Sequence, residues 1–252
     1  MRWNAGMQLS NPGAYTPEKS TLIFGASQTQ GSEVRQEDYF FNYNDECFVV
    51  TDGVSALPHG DVAAKLAAET AVWGYKLVRQ RKFYWEDKQK LLRRIVRSVN
   101  LAVWSKRKET GFVSGLATTL LVLITGLRNF WVASVGDSSA WLLRAGKLSK
   151  LTRDDIDQNG VLTHAVGFQR LGLVAQVATD RFIDGDTLLL ASDGLTERLT
   201  VRDIEKNMQC AGVTTATVVD VVTDLLETAR KKGGQDNMTA CLVKKIAVSG
   251  FA

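Results

Sequence analysis

The sequence predicts an α+β fold in which antiparallel sheets carry helices on their outer faces. Three observations predict it. Short aromatic and β-branched runs occur near the start, in the middle and at the end of the chain. Two pairs of segments with apolar residues at helical spacing separate those runs. The order is therefore strands, helix pair, strands, helix pair, strand. Such grouping, as opposed to strict alternation, favours antiparallel sheets with helices layered outside.

The elements follow in order. Residues 1–20 hold Pro12 and Pro17 amid polar residues and read as an N-terminal arm. No linker composition or internal repeat appears beyond it, so 21–252 reads as a single domain. TLIFGA (21–26), DYFFNY (38–43) and CFVVT (47–51) read as strands. In 61–79 the apolar stripe is Ala63, Leu66, Ala67, Thr70, Trp73 and Leu77. In 87–106 it is Leu91, Leu92, Ile95, Val96, Val99, Ala102 and Val103, and both stripes pack on a sheet. ATTLLVLI (117–124), FWVASV (130–135) and AWLLRA (140–145) are strands joined by tight turns. VLTHAVG (161–167) is a lesser strand candidate, and DTLLLAS (186–192) a clear one. Helices over about 200–210 and 215–231 precede a last strand, MTACLVKKI (238–246). Trp73, Trp104, Trp131 and Trp141 fall in these elements, and with Trp85 they read as core.

Composition removes several function classes. With 45% apolar residues in 252, the chain is too apolar for a disordered protein. Its 31 basic and 27 acidic residues are evenly spread, which gives no nucleic-acid footprint. The N-terminus has no apolar signal segment. The uncharged stretch 111–127 is interrupted by Gly111, Gly115 and Gly126, and reads as a buried strand, not a membrane span. Cys47, Cys210 and Cys241 are few, odd in number and far apart, which excludes a disulfide framework and fits the reducing cytoplasm. His59 and His164, the only histidines, have no partner at zinc spacing. The nucleophile elbow, the P-loop and the dinucleotide fingerprint are absent.

What remains is a set of carboxylates at strand ends. Asp52 ends CFVVTDG, Asp137 ends WVASVGD, Asp193 ends LLLASDG, and Asp236 lies in GGQDN before the last strand. Glu37 and Asp38 open the second strand. A single Asp-Gly is ordinarily a turn. Four such sites at the mouths of apolar strands form a set of hard oxygen ligands suited to Mg²⁺ or Mn²⁺. Their mutual repulsion calls for cations.

The ordered set RQED (35–38), VVTDG (49–53), GLATTL (115–120), VASVGDSSAWLL (132–143), LTRDD (151–155), LLLASDGLT (188–196) and GGQDNMTACLV (233–243) resembles the metal-dependent protein phosphatases of type 2C. The resemblance implies a four-layer α-β-β-α sandwich, two central antiparallel sheets flanked by helix pairs. It implies hydrolysis of phosphoserine and phosphothreonine in proteins by a metal-activated water, with Mn²⁺ or Mg²⁺ as two ions and a third, weaker one. On that resemblance Asp52 bridges two ions and the Gly53 carbonyl binds one of them. Asp193 and Asp236 complete the opposite ion's shell. Asp38, or else Glu37, holds metal-bound water, and Asp137 binds the third ion with Asp193. The catalytic set is then Asp52, Asp193 and Asp236. The implied partners are phosphoprotein substrates and a cognate protein kinase, with no nucleic acid and no membrane.

The sequence also departs from the family's pattern. Where the family places a phosphate-binding arginine this chain has Glu33, and the nearest arginine is Arg35, a candidate replacement or a solvated strand-edge residue. The glycine-rich run after the metal aspartate is DGVSALPHGD, whose His59 is off the register of the family's acid histidine. Ser139 stands where GDSR would supply an arginine. Only IDQNGV (156–161) stands where the family has a flap of a few tens of residues, so a more open site is expected, unless the connection 105–114 covers it. A phosphoprotein-binding regulator of weak activity and a small-molecule phosphohydrolase of the same fold remain alternatives.

Overall fold

The computed structural model describes residues 22–32, 35–81, 87–113 and 115–247. The proposed arm 1–20, Glu33 and Trp85 lie outside the described residues. The strands are β1 (Leu22–Thr29), β2 (Asp38–Tyr43), β3 (Cys47–Asp52), β4 (Leu120–Thr125), β5 (Asn129–Val135), β6 (Ser139–Arg144), β7 (Lys147–Lys150), β8 (Gln176–Arg181), β9 (Thr187–Ala191) and β10 (Met238–Lys245). The helices are α1 (Gly60–Arg79), α2 (Lys88–Lys106), α3 (Asp193–Thr196), α4 (Val201–Gln209) and α5 (Thr215–Lys231).

Two five-stranded antiparallel sheets form, in the orders β1-β10-β9-β6-β7 and β2-β3-β4-β5-β8. Three apolar layers hold them. Phe48, Leu121, Leu123, Val132, Leu188 and Leu190 fill the space between the sheets. Val122 and Ile124, the alternate residues of β4, meet Leu92 and Val99 of α2 on the outer face. Leu189 and Leu242 meet Val222 and Leu225 of α5 on the other outer face. A central strand covered on both faces has no polar side, which is why β4 reads LLVLIT without alternation. The four-layer sandwich is the fold.

Sequence periodicity errs on α1. It turns Trp73 and Leu77 inward, whereas these are 50% and 58% exposed. The buried face is Ala63, Ala64, Ala67, Ala68 and Ala71, whose small side chains let the helix lie close to the sheet. Thr51 of β3 even donates to the Ala64 carbonyl at 2.9 Å. The core assignment fails for Trp73, which lies beneath the Lys76 ammonium instead, and holds for Trp141 at 7% exposure.

The segment 161–167 is not a strand. Val166 makes a lone bridge to Thr118, and Leu162 one to Ile156. Edge strands β7 and β8 escape sequence reading because KLSK and QVATDR are mostly polar. Among the described residues no helix is long and apolar enough to cross a membrane, and the stretch tested for a span contains β4.

Candidate metal centre

The register of β2 on β3 sets Asp38 directly opposite Asp52. Two carboxylates in one cross-strand pair repel, and such pairs are ordinarily avoided. Asp38 is buried. Its Oδ2 accepts from Ser192 Oγ at 2.7 Å, while its Oδ1 is enclosed and makes no hydrogen bond. Burial pushes the Asp38 carboxyl up to about 7, the Ser192 and Thr239 hydroxyls oppose this, and Asp193 pushes it further.

Asp52 ends β3 where the backbone is fixed on three sides. Its N–H donates to Thr119 Oγ1 at 3.0 Å, and its carbonyl accepts from Thr119 N and Thr118 Oγ1, each at 2.8 Å. Burial, and then the charges of Asp38, Asp193 and Asp137, hold its carboxyl well above the carboxylate range. Gly53 follows, its N–H donating to the Glu37 carbonyl at 3.0 Å. The first residue of α1 comes so near that a Cβ on Gly53 would lie 2.4 Å from the Gly60 carbonyl carbon. Only glycine admits that approach. Glu37 reaches the same corner, its Oε2 being 2.8 Å from where a Gly60 Cβ would stand.

Asp137 sits in the β5–β6 turn behind Gly136, whose φ of +98° glycine alone takes without strain. Asp137 Oδ1 is enclosed and unpartnered. Burial first, then Asp193, raises its pKa to about 7. Asp193 opens the single turn α3, after Ser192. The loop before β10 lies against it: a Cβ on Gly194 would be 3.1 Å from Asp236 Cβ. Asp236 is exposed and accepts from Asn237 N at 2.7 Å.

The structure therefore gathers Asp38, Asp52, Asp137 and Asp193 at one end of both sheets, with Glu37 and Asp236 at the margin. Among the described residues no three His, Cys, Asp or Glu groups already converge at ligand spacing. The carboxylates instead adjoin in pairs, Asp38 with Asp52 and Asp52 with Asp193. Two enclosed oxygens that make no hydrogen bond, in a cluster of repelling acids with no basic side chain among the described residues there, fit a hard divalent ion.

Arg35 lies at the same end but is solvated. Its side chain is 57% exposed, 3.8 Å from Asp61 Oδ1 and 3.5 Å from the Pro58 carbonyl. His59 precedes α1 and meets the Phe112 ring edge-on at 4.9 Å. The turn at 156–161 is compact, with Asp157 Oδ1 accepting from Asn159 N at 2.8 Å and Val161 N at 3.0 Å.

Sequence reading missed the supports. Ser192 links Asp38 to Thr239 N, which donates to Ser192 Oγ at 2.9 Å. Thr119 shares a 2.7 Å hydrogen bond with Ser138. Glu197 joins the acidic margin, its carboxyl pushed up by burial and then by Asp193 and Asp236. Ser192 and Ser138 directly adjoin Asp193 and Asp137 in sequence, and Thr119 lies in GLATTL, but nothing in the sequence says that their hydroxyls point to this end.

The family model for protein phosphatase 2C matches residues 24–243. A curated relative, the serine/threonine phosphatase stp of Listeria monocytogenes, is 26% identical over 220 residues, covering 80% of this chain and 85% of the relative. Stp1 from Staphylococcus aureus superposes with a TM-score of 0.78 at 20% identity, over 94% of this chain and 99% of that one. The catalytic domain of the phosphatase PstP, solved with two manganese ions, superposes with a TM-score of 0.75 at 22% identity, over 90% of this chain and 99% of that one. Those two structural likenesses are of fold, and the match of the family model across both sheets and both helix pairs says more: the chain belongs to the protein phosphatase 2C family.

Proposed function

We infer that this chain is a metal-dependent protein serine/threonine phosphatase that hydrolyses phosphoserine and phosphothreonine. The observation that carries the reading is the Asp38–Asp52 pair, two facing carboxylates with one enclosed oxygen that makes no hydrogen bond. Such an arrangement costs stability and offers a cation what it needs.

Asp52 and the Gly53 carbonyl would hold two divalent ions between them. In support, Asp52 is the carboxylate pressed by Asp38, Asp193 and Asp137 alike. Asp193 and Asp236 would complete one ion's shell, and Asp38, or else Glu37, would hold water on the ions. Asp137 with Asp193 would hold a third. Bound there, manganese or magnesium supplies Lewis-acid charge and an acidified water; manganese is favoured because PstP is described with two such ions. The chain's own part is to fix the Asp38 carboxylate through Ser192 and the Asp52 backbone through Thr118 and Thr119, so that little reorganisation remains when substrate arrives. Arg35, exposed and only loosely held by Asp61, is the candidate phosphate clamp.

The substrates are phosphoproteins, and a protein kinase must place the phosphate removed here. A cytoplasmic location is supported by three free cysteines, two of them buried. The test is phosphate release after chelation and reloading with Mn²⁺ or Mg²⁺. Release from phosphoserine peptides supports the reading. Release from an aryl phosphate alone means a small-molecule phosphohydrolase, and release from neither means a phosphoprotein-binding regulator.

A further inference from the structure

α2 carries six basic residues and no acidic one: Lys88, Lys90, Arg93, Arg94, Arg97 and Lys106. Like charges three and four residues apart weaken a helix, so this composition works against the element it builds. Arg93 and Arg97 stand one turn apart on the rim of a groove of about 370 Å³ between α2 and the segment 170–175. Arg170 closes the other rim. All three side chains are exposed, and among the described residues none makes an ion pair or hydrogen bond. Leu171 and Val174, also in the lining, are 62% and 76% exposed.

The groove is built, not a chance gap. Asn100 of α2, only 2% exposed, donates through Nδ2 to the carbonyls of Gln169 at 2.9 Å and Arg170 at 3.2 Å. Its Oδ1 accepts from Gly167 N at 2.9 Å. One buried amide thus pins the segment to the helix and fixes the spacing between arginines. The segment that forms the groove is also tied to the acidic cluster through hydrogen bonds. Its last lining residue, Ala175, precedes Gln176, whose Nε2 donates to Asp155 Oδ1 at 2.8 Å. Asp155 Oδ2 in turn accepts from the N–H of Gly136, next to Asp137, at 3.0 Å.

We propose that this groove is a docking site for an acidic protein segment bearing an apolar side chain, supplied by the phosphoprotein substrate outside its phosphorylated residue. Three guanidinium groups complement carboxylates, and Leu171 and Val174 give an apolar residue its contact. This rests on the phosphatase reading for its substrate, and on the groove alone for its binding. An acidic segment seated here would add binding energy remote from the reacting phosphate and favour long substrates over small esters.

The test uses the full chain and a fluorescent, unphosphorylated peptide of glutamates with a central leucine. Wild type binds it in anisotropy, and R93E/R97E/R170E weakens binding by about tenfold or more. The same variant binds the lysine counterpart of the peptide, which rules out simple misfolding. With the phosphorylated peptide, kcat/KM falls in the variant, while aryl phosphate turnover is unchanged. Failure of wild type to hydrolyse both the phosphorylated peptide and aryl phosphate would strike the phosphatase reading, whereas peptide binding tests the groove independently. Absence of peptide binding by wild type, binding indifferent to the charge reversal, or arginine-dependent binding only to anionic phospholipid vesicles or to RNA would overturn the proposal.

Discussion

Asp38 and Asp52 face each other across the β2–β3 ladder, and the Ser192 hydroxyl, one residue past β9 of the opposite sheet, binds the first of them at 2.7 Å. The two sheets are thus joined at their functional end through a carboxylate. Repulsion between these acids is a cost the fold carries without cations. Asp38→Asn removes one of the charges and keeps the shape. Thermal unfolding of the metal-free variant should show a stability gain on the order of 1 kcal/mol over metal-free wild type. Phosphatase activity should fall by at least about a hundredfold if the carboxylate serves the ions. Asp52→Asn should behave alike and lose more activity, since the charges of three other acids act on it. A loss of stability in both variants would mean that the pair is structural.

The inner strands of both sheets, both helix pairs and the positions of the six acids are legible in sequence, because burial on both faces writes unbroken apolar runs and because the acids stand at the ends of strands, Asp52, Asp137 and Asp193 after them and Glu37, Asp38 and Asp236 before them. The facing of α1 is not legible. Alanine is a weak apolar signal beside Trp73 and Leu77, yet five alanines make the contact. The edge strands are not legible either, since solvent-facing edges use polar residues. At the site, the sequence shows the carboxylates but not the hydroxyls that orient them, because Ser192 and Asp38 are 154 residues apart.

Asp203 gives a pH-dependent prediction away from the site. Its carboxylate accepts from Lys232 Nζ, Thr200 Oγ1 and Thr200 N, which hold its pKa well below the usual carboxylate value of 3.8. A depressed acid stabilises the fold above its unfolded pKa and loses that contribution as pH falls below it. Wild type should therefore lose melting temperature between about pH 4 and 2 more steeply than Asp203→Asn. Parallel curves would show that the ion pair to α5 is dispensable.

The Arg35 carbonyl accepts from Asn237 Nδ2 at 3.0 Å, but its exposed side chain is tied, among the described residues, to Asp61 and the Pro58 carbonyl alone. A guanidinium with so little to hold it is free to turn to a phosphate. Arg35→Ala should raise KM for phosphosubstrate more than it lowers kcat, by about tenfold, since a ground-state phosphate contact is uniform binding. Arg35→Lys should restore part of the effect through charge alone. An unchanged KM would assign Arg35 to the solvated edge.

Two segments compete to flank the substrate. The turn at 156–161 is closed on itself by Asp157 and is too short to fold as a lobe. The connection after α2 instead brings Phe112 against His59 at 4.9 Å, with Lys106 above the Phe112 ring and Phe112 itself packed on the α1–α2 core. A large apolar side chain anchored in the core and touching the residue before α1 is better placed to shape the approach to Asp52 than a solvated six-residue turn. Phe112→Ala should therefore raise KM for a phosphopeptide several-fold, about 1 kcal/mol of lost contact, while aryl phosphate, too small to reach it, is turned over as before. Replacing 156–161 by a Gly-Ser linker should leave both substrates' KM values nearly unchanged and lower only the melting temperature. If the linker variant loses phosphopeptide binding and Phe112→Ala does not, the short turn is the substrate wall, and the openness read from its length is wrong.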